Sequence, residues 1–288
     1  MATRSPSPSA PRPQAARPGK IRLDRLVLVR HLAPSRHQAE AAIRAGEVYV
    51  EGRRLEKPGL LIAADATVER RMRRPVFVSR GGVKLAAALD ASGVDLTDCV
   101  VLDVGASTGG FTDCALQRGA RRVYAVDVGR GQLHWRLRQD PRVISLEGRH
   151  AAHLRPDDVP DVPDVATVDC SFISVLKVLP AVQRTVRPGG WLLVLVKPQF
   201  EAGPKAARRG VVRDPAVHAA VLRRVIEHAT ALGLEPRGVV ASPLLGPEGN
   251  REFFVVLCNG RGTTAGQAAD LDEAIRRAVY DDPEAATR

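Results

Sequence analysis

Short runs of apolar residues, each ending in a polar residue or a glycine, recur between residues 99 and 257. Such runs are typical of strands that are buried on both faces, as in a parallel sheet. Segments with helical periodicity separate most of them, which predicts an α/β fold with a mostly parallel, doubly wound Rossmann-like sheet. The predicted strands are residues 99–103, 122–127, 142–146, 165–169, 191–197, 238–242 and 252–257.

The last two predicted strands are joined by a short loop, SPLLGPEGNR, that is rich in proline and glycine. A loop of this length suits a hairpin and is too short for a helical crossover. We therefore expect the last strand to run antiparallel to the rest of the sheet. Its first residue, Glu252, then lies at the same edge as the carboxyl ends of the parallel strands.

The N-terminal part has a different pattern. Leu23 and Leu26 indicate a short helix, Ser35 is a plausible N-cap of a second helix, and Val48 and Val50 alternate with polar residues as in a strand. This pattern predicts a small αβ module that precedes the larger sheet. The predicted organisation is a disordered Pro-rich tail at 1–19, the small module at 20–70, a basic linker at 71–78 and the sheet domain at 79–288.

Charge separates the two modules. Residues 1–84 hold 18 Lys and Arg against 7 Asp and Glu, whereas residues 85–288 hold 25 of each, so the whole net charge of +11 lies in the N-terminal part. A basic surplus confined to one module is the electrostatic footprint of a polyphosphate partner. The cations predicted to meet phosphate are Arg22, Arg36, Arg44, Arg53, Arg54 and Lys57.

This module resembles the S4-type RNA-binding domain. The likeness lies in Arg22-Leu-Asp24, Ser35-Arg36-x-Gln38-Ala39, Ile43-Arg44-Ala45-Gly46 and Val48-x-Val50-x-Gly52. The resemblance implies that the module recognises structured RNA, which proteins distinguish mainly by shape and backbone.

A glycine-rich turn, GASTGGF, follows the first strand of the large sheet. Glycine allows a ligand to approach the backbone closely, and strand, glycine turn and helix together form the entry to a nucleotide-type pocket. The dinucleotide pattern is absent because Ser107 replaces its second glycine, and Phe111 stands where a phosphate-binding loop requires lysine. Asp127 ends the next strand, where a carboxylate can accept hydrogen bonds from both ribose hydroxyls of an adenosine. S-adenosylmethionine (SAM) fits both observations; the alternative is a structural αβ unit whose glycines serve only the turn.

Asp169, Lys197 and Glu252 stand at strand ends on the predicted ligand-binding edge of the sheet. Here the chain resembles the TlyA family of rRNA 2′-O-methyltransferases, a branch of the FtsJ-like ribose methyltransferases. The matching stretches are VSRGGVKL (78–85), LDVGASTGGFTD (102–113), AVDVGRGQL (125–133), DCSFIS (169–174), LVKPQFE (195–201), GVVRDP (210–215) and SPLLGPEGNREFF (242–254).

The resemblance implies a catalytic tetrad of Lys84, Asp169, Lys197 and Glu252, although a lysine in the position of Lys84 is more often solvated. The implied base is Lys197, held among like charges, with Lys84 stabilising the alkoxide and the two carboxylates orienting the lysines and the ribose. The resemblance also implies that the cofactor is SAM and that the partner is rRNA in ribosomal subunits. It implies cytidine as the target nucleotide. The predicted cofactor-binding residues are Asp103, Gly105, Ala106, Ser107, Gly109, Gly110, Phe111, Asp127 and Val128. His150 and Ala152 depart from the family pattern and leave the adenine contacts open.

Two other functions are alternatives to a methyltransferase. Some members of this family are labelled haemolysins, but no apolar run is long enough to span a bilayer as a helix, and residues 1–20 lack the apolar region of a secretory signal. A second alternative is an RNA-binding factor with an inactive methyltransferase fold. Four cysteines without a CxxC pair are typical of a cytoplasmic protein whose cysteines are reduced. The sequence contains no recognisable metal-binding motif. The sequence leaves the oligomeric state open.

Overall fold

The computed structural model describes residues 19–71, 76–203, 210–246, 248–260 and 270–281. The chain divides into two compact units, residues 1–74 and 75–288. Residues 1–18 of the predicted tail and residues 72–75 of the predicted linker lie outside the described residues.

The first unit is a small αβ module, as its pattern predicts. Its elements are β1 (Lys20–Arg22), α1 (Leu23–Val29), α2 (Arg36–Arg44), β2 (Val48–Val50), β3 (Arg53–Arg54), β4 (Leu61–Ala63) and β5 (Val68–Arg70). Strand β1 pairs with β4, and β2 pairs with both β3 and β5, all antiparallel. The Ser35 hydroxyl accepts a hydrogen bond from Gln38 N at 3.3 Å, which confirms the predicted N-cap of α2.

The second unit contains the large sheet. Its elements are α3 (Gly81–Ser92), β6 (Val100–Val104), α4 (Gly110–Gln117), β7 (Arg122–Asp127), α5 (Trp135–Arg138), β8 (Val143–Glu147), two 3-10 turns (Ala151–His153 and Pro156–Asp158), β9 (Val165–Val168), α6 (Val175–Thr185), β10 (Trp191–Val196), α7 (Pro198–Glu201), α8 (Pro215–Ala231), β11 (Leu234–Ala241), β12 (Phe253–Asn259) and α9 (Leu271–Tyr280).

The sheet has seven strands in the order β11-β12-β10-β9-β6-β7-β8. Strands β10, β9, β6, β7 and β8 are parallel, and β12 runs antiparallel to both of its neighbours, which confirms the predicted direction of the last strand. Strand β11 begins at Leu234, four residues before the predicted start, because its first residues pair with the end of β12 across an irregularity between Pro236 and Gly238. The polar residues and the proline in this stretch hide the strand from a hydropathy pattern.

Helices cover both faces of the sheet. Leu85 of α3 and Phe111 of α4 pack with Val101 on one face, whereas Leu179 of α6 and Leu222 of α8 lie in the cluster on the other. Successive strand residues point to opposite faces, so each strand contributes to both clusters. Burial of each large aliphatic side chain contributes about 1.5–3 kcal/mol relative to exposure. Within the described residues, no helix combines the length and apolar character needed to cross a bilayer.

Candidate active site

The turn after β6 is fixed by its neighbours in the sheet. Gly105 has φ +87°, and a Cβ at this position would lie 2.5 Å from the carbonyl oxygen of Asp169. The backbone N–H groups of Gly105 and Ala106 both donate to the carbonyl of Val126, at 2.8 and 3.1 Å. The turn is therefore held against the carboxyl ends of β7 and β9, in a conformation that a larger residue at Gly105 would disrupt.

Asp127, the last residue of β7, faces this turn. Its Oδ2 accepts from Ser107 N at 2.8 Å and its Oδ1 from Gly129 N at 2.7 Å. A carboxylate offers about four lone-pair directions, so each oxygen keeps acceptor capacity for another donor. Asp127 thus both locks the turn and offers a charged acceptor at its surface, as the sequence predicts for a ribose contact.

A cavity of about 540 Å³ opens beside Asp127. This volume lies in the usual range for small-molecule sites. Its lining includes predicted cofactor residues together with residues that sequence reasoning did not select, and comprises Gly105, Ser107, Val126, Asp127, Val128, Gln132, Arg149, His150, Ala151, Asp169, Cys170, Ser171, Phe172 and Ile173. Val128 is 68% exposed, so an apolar surface is available next to the carboxylate of Asp127.

His150, where the sequence departs from the family pattern, lines this cavity, whereas Ala152 does not. The Nδ1 of His150 accepts a hydrogen bond from Ala152 N at 3.3 Å and caps the short 3-10 turn. In the neutral ring the proton then resides on Nε2, which makes that nitrogen a donor.

Phe172 is a functional candidate that sequence reasoning missed. Its side chain is 91% exposed at the rim of the cavity, its φ is +64°, and its ring centroid lies 5.2 Å from that of Phe200. A bulky residue with positive φ is strained, and such strain concentrates at ligand sites. The available signal was an aromatic residue directly after a strand end, in DCSFIS, with no place in a helical or strand pattern.

Two of the four predicted tetrad residues meet at the carboxyl ends of β9 and β10. The Nζ of Lys197 lies 2.6 Å from Oδ1 of Asp169 and donates to the Ser171 hydroxyl at 2.8 Å. The side chains of Lys197 and Asp169 are 10% and 21% exposed. The pair is therefore largely enclosed, and Asp169 lines the cavity whereas Lys197 does not.

The other two tetrad residues form a second pair. The Nζ of Lys84, in the first turn of α3, lies 2.5 Å from Oε2 of Glu252, and the side chains are 10% and 1% exposed. Lys84 is thus buried and paired, unlike a typical solvated lysine near a helix start. The antiparallel direction of β12 places Glu252 at this edge. Asn250, itself 1% exposed, donates to the carbonyl of Gly210 and fixes the loop that carries Glu252.

A smaller cavity of about 130 Å³ is lined by both Lys84 and Asp169, with Ser79 and the glycine turn. It shares Gly105, Ser107 and Asp169 with the larger cavity, so the two adjoin. Lys84 and Asp169, one residue of each pair, therefore line the same cavity, whereas Lys197 and Glu252 line neither cavity. Each lysine is paired with a carboxylate of its own, which differs from the expectation that Lys197 is held among like charges. No cluster of His, Cys, Asp or Glu within the described residues is suited to hold a metal ion.

Asp103 and Gly109, both predicted to bind the cofactor, line neither cavity. Asp103 is fully buried and accepts hydrogen bonds from the hydroxyls of Thr112 (2.6 Å) and Thr167 (2.9 Å). Gly109 has φ +94°, and a Cβ there would collide with Cδ1 of Leu137. Both residues shape the turn from beneath it.

Burial raises the pKa of Asp103 to about 6. Between about pH 4 and pH 7 the folded protein keeps a proton on Asp103 that the unfolded chain has already released. The free energy of unfolding therefore falls by about 2 kcal/mol as the pH rises through this range. Asp103→Asn cannot titrate, so we expect its unfolding free energy to lack this component and the difference between the two proteins to change steadily toward neutral pH. Urea unfolding at several pH values measures both; parallel curves would contradict the assignment.

In the first unit, four of the six predicted phosphate-binding cations are ion-paired. Arg22 and Arg36 pair with Asp24, Arg44 with Glu40 and Arg54 with Glu56, whereas no ion pair is described for Arg53 and Lys57. The side chains of Arg22, Arg36, Arg44 and Arg54 are nevertheless 44%, 59%, 66% and 48% exposed, so their guanidinium groups remain accessible to an incoming phosphate.

Two family models match the chain: the FtsJ-like methyltransferase model over residues 77–259 and the S4 domain model over residues 21–68. "Putative rRNA methyltransferase YqxC" of Bacillus subtilis (strain 168) is 46% identical over 89% of this chain and 92% of its own. "16S/23S rRNA (cytidine-2'-O)-methyltransferase TlyA" of Mycobacterium tuberculosis is 41% identical over 92% of this chain and 99% of its own. A solved structure titled "Putative hemolysin from Streptococcus thermophilus" superposes with a TM-score of 0.70 at 37% identity, covering 94% of this chain and 99% of its own.

Proposed function

The chain belongs to the TlyA branch of the FtsJ-like methyltransferase family, and on this basis we propose that it methylates a ribose 2′-hydroxyl in ribosomal RNA, with SAM as donor. The observation that carries the proposal is a cavity at the glycine turn that is lined by Lys84 and Asp169, one member of each of two enclosed lysine–carboxylate pairs. The name of the mycobacterial relative supports cytidine in the ribosomal subunits as the target, which the enzyme would meet in the cytoplasm.

The residues present fit SAM. Asp127 would accept hydrogen bonds from the ribose hydroxyls, and Val128 and Ile173 would flank the adenine in the larger cavity. The smaller cavity, beside Ser79 and Lys84, would take the amino-acid end. When bound, SAM supplies a methyl group on a positively charged sulfonium. The turn carries no lysine for a phosphate, in keeping with a cofactor that has none.

Lys197 would take the proton from the 2′-hydroxyl. Asp169 and the Ser171 hydroxyl hold Nζ in place, at 2.6 and 2.8 Å, and Asp169 would balance the ammonium that forms when Nζ takes the proton. A positioned acid–base group of this kind contributes about 10²–10⁴-fold to a rate.

The pair of Lys84 and Glu252 would hold the acceptor ribose from the opposite side. Lys84 supplies a cation for the oxygen that develops negative charge, and Glu252 fixes the direction of the ammonium group. Because both groups are already enclosed and oriented, little reorganisation is needed when charge develops. The exposed ring of Phe172, which lies beside Ser171, offers a face on which the target base can stack once it leaves its helix.

Mapping of 2′-O-methyl groups tests the proposal. We expect purified protein, SAM and unmodified 30S or 50S subunits to yield at least one new ribose methyl, detected as a phosphodiester bond resistant to alkaline cleavage. Protein with Lys197→Ala serves as the matched negative control. Methylation of a base, or no new methyl on either subunit, would refute the assigned reaction. Methyl transfer by the wild type would exclude the alternative of an inactive methyltransferase fold.

A further inference from the structure

An acidic residue lies in the most basic part of the molecule. The side chain of Asp24 has no exposed surface. A negative charge at an RNA-binding surface opposes phosphate, so electrostatics alone gives no reason for it to be there.

Every oxygen of the Asp24 carboxylate is engaged by a cation or a backbone donor. Arg22 binds it with Nε (3.0 Å) and Nη2 (2.8 Å), in the two-pronged geometry that is specific to arginine. Arg36, from the first turn of α2, donates from Nε to Oδ2 at 3.2 Å, and its Nη2 lies 3.1 Å from the same oxygen. The backbone N–H of Arg25 donates to Oδ1 at 2.9 Å. The hydrogen-bonded Arg22 guanidinium holds the pKa of the Asp24 carboxyl below its usual range.

The two guanidinium groups nevertheless face solvent. The side chains of Arg22 and Arg36 are 44% and 59% exposed, although the carboxylate between them is covered. Each guanidinium has five N–H donors. Asp24 engages Nε and Nη2 of both arginines, and Oε1 of Glu40 also lies 3.3 Å from Nε of Arg36, which leaves the Nη1 groups for a further acceptor. Arg22 also lies against Gly59, where a Cβ would come within 3.3 Å of its Nη1. Asp24 therefore fixes the direction of two arginines that belong to different elements.

We propose that Asp24 is a positioning residue that presents Arg22 and Arg36 as one preformed binding site for an RNA phosphate. The inference rests on the proposed function, since it takes rRNA as the partner. An arginine that is already held loses less conformational freedom when it binds, and two forks at a fixed spacing match the oxygens of a phosphate. The positioning then outweighs the repulsion by one buried charge, which two adjacent cations already neutralise.

The proposal and simple charge attraction predict opposite signs for one substitution. Asp24→Asn raises the net charge by one and so should tighten RNA binding if charge alone decides. If Asp24 positions the two arginines, the same change should weaken binding about tenfold. The slope of log K against log salt should then fall by roughly 0.7–0.9 for each phosphate that the protein no longer neutralises. Glu56→Gln is the matched control, because Glu56 is an exposed partner of Arg54 in the same unit and its removal also adds one charge.

The experiment measures binding of the full chain to purified 16S and 23S rRNA by filter retention at several salt concentrations, with steady-state methylation in parallel. We expect Asp24→Asn to raise KM for rRNA with kcat unchanged, and Glu56→Gln to bind as tightly as the wild type or more tightly. In a background of Arg22→Ala and Arg36→Ala, Asp24→Asn should cause no further weakening. Weakening of equal size in both backgrounds would indicate general damage to the unit and overturn the proposal.

The outcomes separate this inference from the proposed function. If the wild type methylates rRNA but Asp24→Asn binds it as tightly or more tightly, the positioning role is wrong and the proposed function stands. If the wild type neither binds nor methylates rRNA, both fall together.

Discussion

Lys197→Ala is expected to slow methyl transfer by about a hundredfold or more while the affinity for SAM stays nearly unchanged. The amine of Lys197 is held by Asp169 and Ser171, so its removal deletes the group that would take the proton of the 2′-hydroxyl. The side chain of the partner left behind, Asp169, is 21% exposed, and loss of the lysine side chain would open space for water beside its buried Oδ1, so the fold should survive. Lys84 is a poorer test, because its loss would strand Glu252, which is 1% exposed, at a cost of about 3–5 kcal/mol.

Single-turnover methylation of ribosomal subunits at saturating SAM measures the effect directly. Lys177→Ala is the matched control, because Lys177 is an exposed lysine on α6, and its removal should leave the rate unchanged. Thermal unfolding of both variants verifies that the fold is intact. Transfer at the wild-type rate by Lys197→Ala would mean that another group takes the proton, and the roles assigned to the tetrad would have to be abandoned.

Asp127→Asn is expected to weaken SAM binding by roughly a hundredfold or more, since hydrogen bonds to a charged group contribute about 1.5–3 kcal/mol each. The carboxylate accepts from Ser107 N and Gly129 N and would accept from the ribose as well. An amide places an NH₂ group against one of these backbone donors, which both loosens the turn and removes an acceptor.

Titration calorimetry with SAM and with S-adenosylhomocysteine measures this loss, and Asp157→Asn, which replaces an exposed acid of the same unit, is the control. Because both ligands share the adenosine, we expect equal weakening for the two. An affinity within about twofold of the wild type would contradict the placement of the ribose at Asp127 and would move the cofactor site away from β7.

Some strands of the large sheet could be predicted from the sequence and one could be predicted only in part. Strands β6, β7, β9 and β10 are nearly continuous apolar runs, because a parallel strand covered on both faces is apolar along most of its length. The start of β11 could not be predicted, since Glu235, Pro236 and Arg237 join the sheet through pairing with β12 rather than through their own hydropathy. Local composition determines a strand only where burial alone stabilises it.

The candidate site shows the same division. Three features of the local sequence placed Gly105, Asp127, Asp169 and Lys197 at one edge of the sheet. They are the glycine turn, the acidic residue at the end of the next strand, and the polar residues at the other strand ends. The order in which the strands pair was needed to bring Lys84 and Glu252, 168 positions apart, to within 2.5 Å. Burial also could not be predicted from the sequence. The same local sequence surrounds a lysine near a helix start, or an aspartate after a strand, whether its side chain is exposed or enclosed.

By itself, then, the sequence determined the two modules, the direction of the last strand and the chemistry at the carboxyl edge, because hydropathy, turn residues and charge act over a few neighbours in the chain. Only the tertiary structure decided which groups pair: Lys197 with Asp169, Lys84 with Glu252, and Asp24 with two arginines. It also showed that Asp103 and Gly109 line neither cavity and that Phe172 is exposed at the rim of the larger one. The physical reason is that the energy of a charged side chain depends on its solvation and on its nearest partners in space, and neither is written in the spacing of residues along the chain.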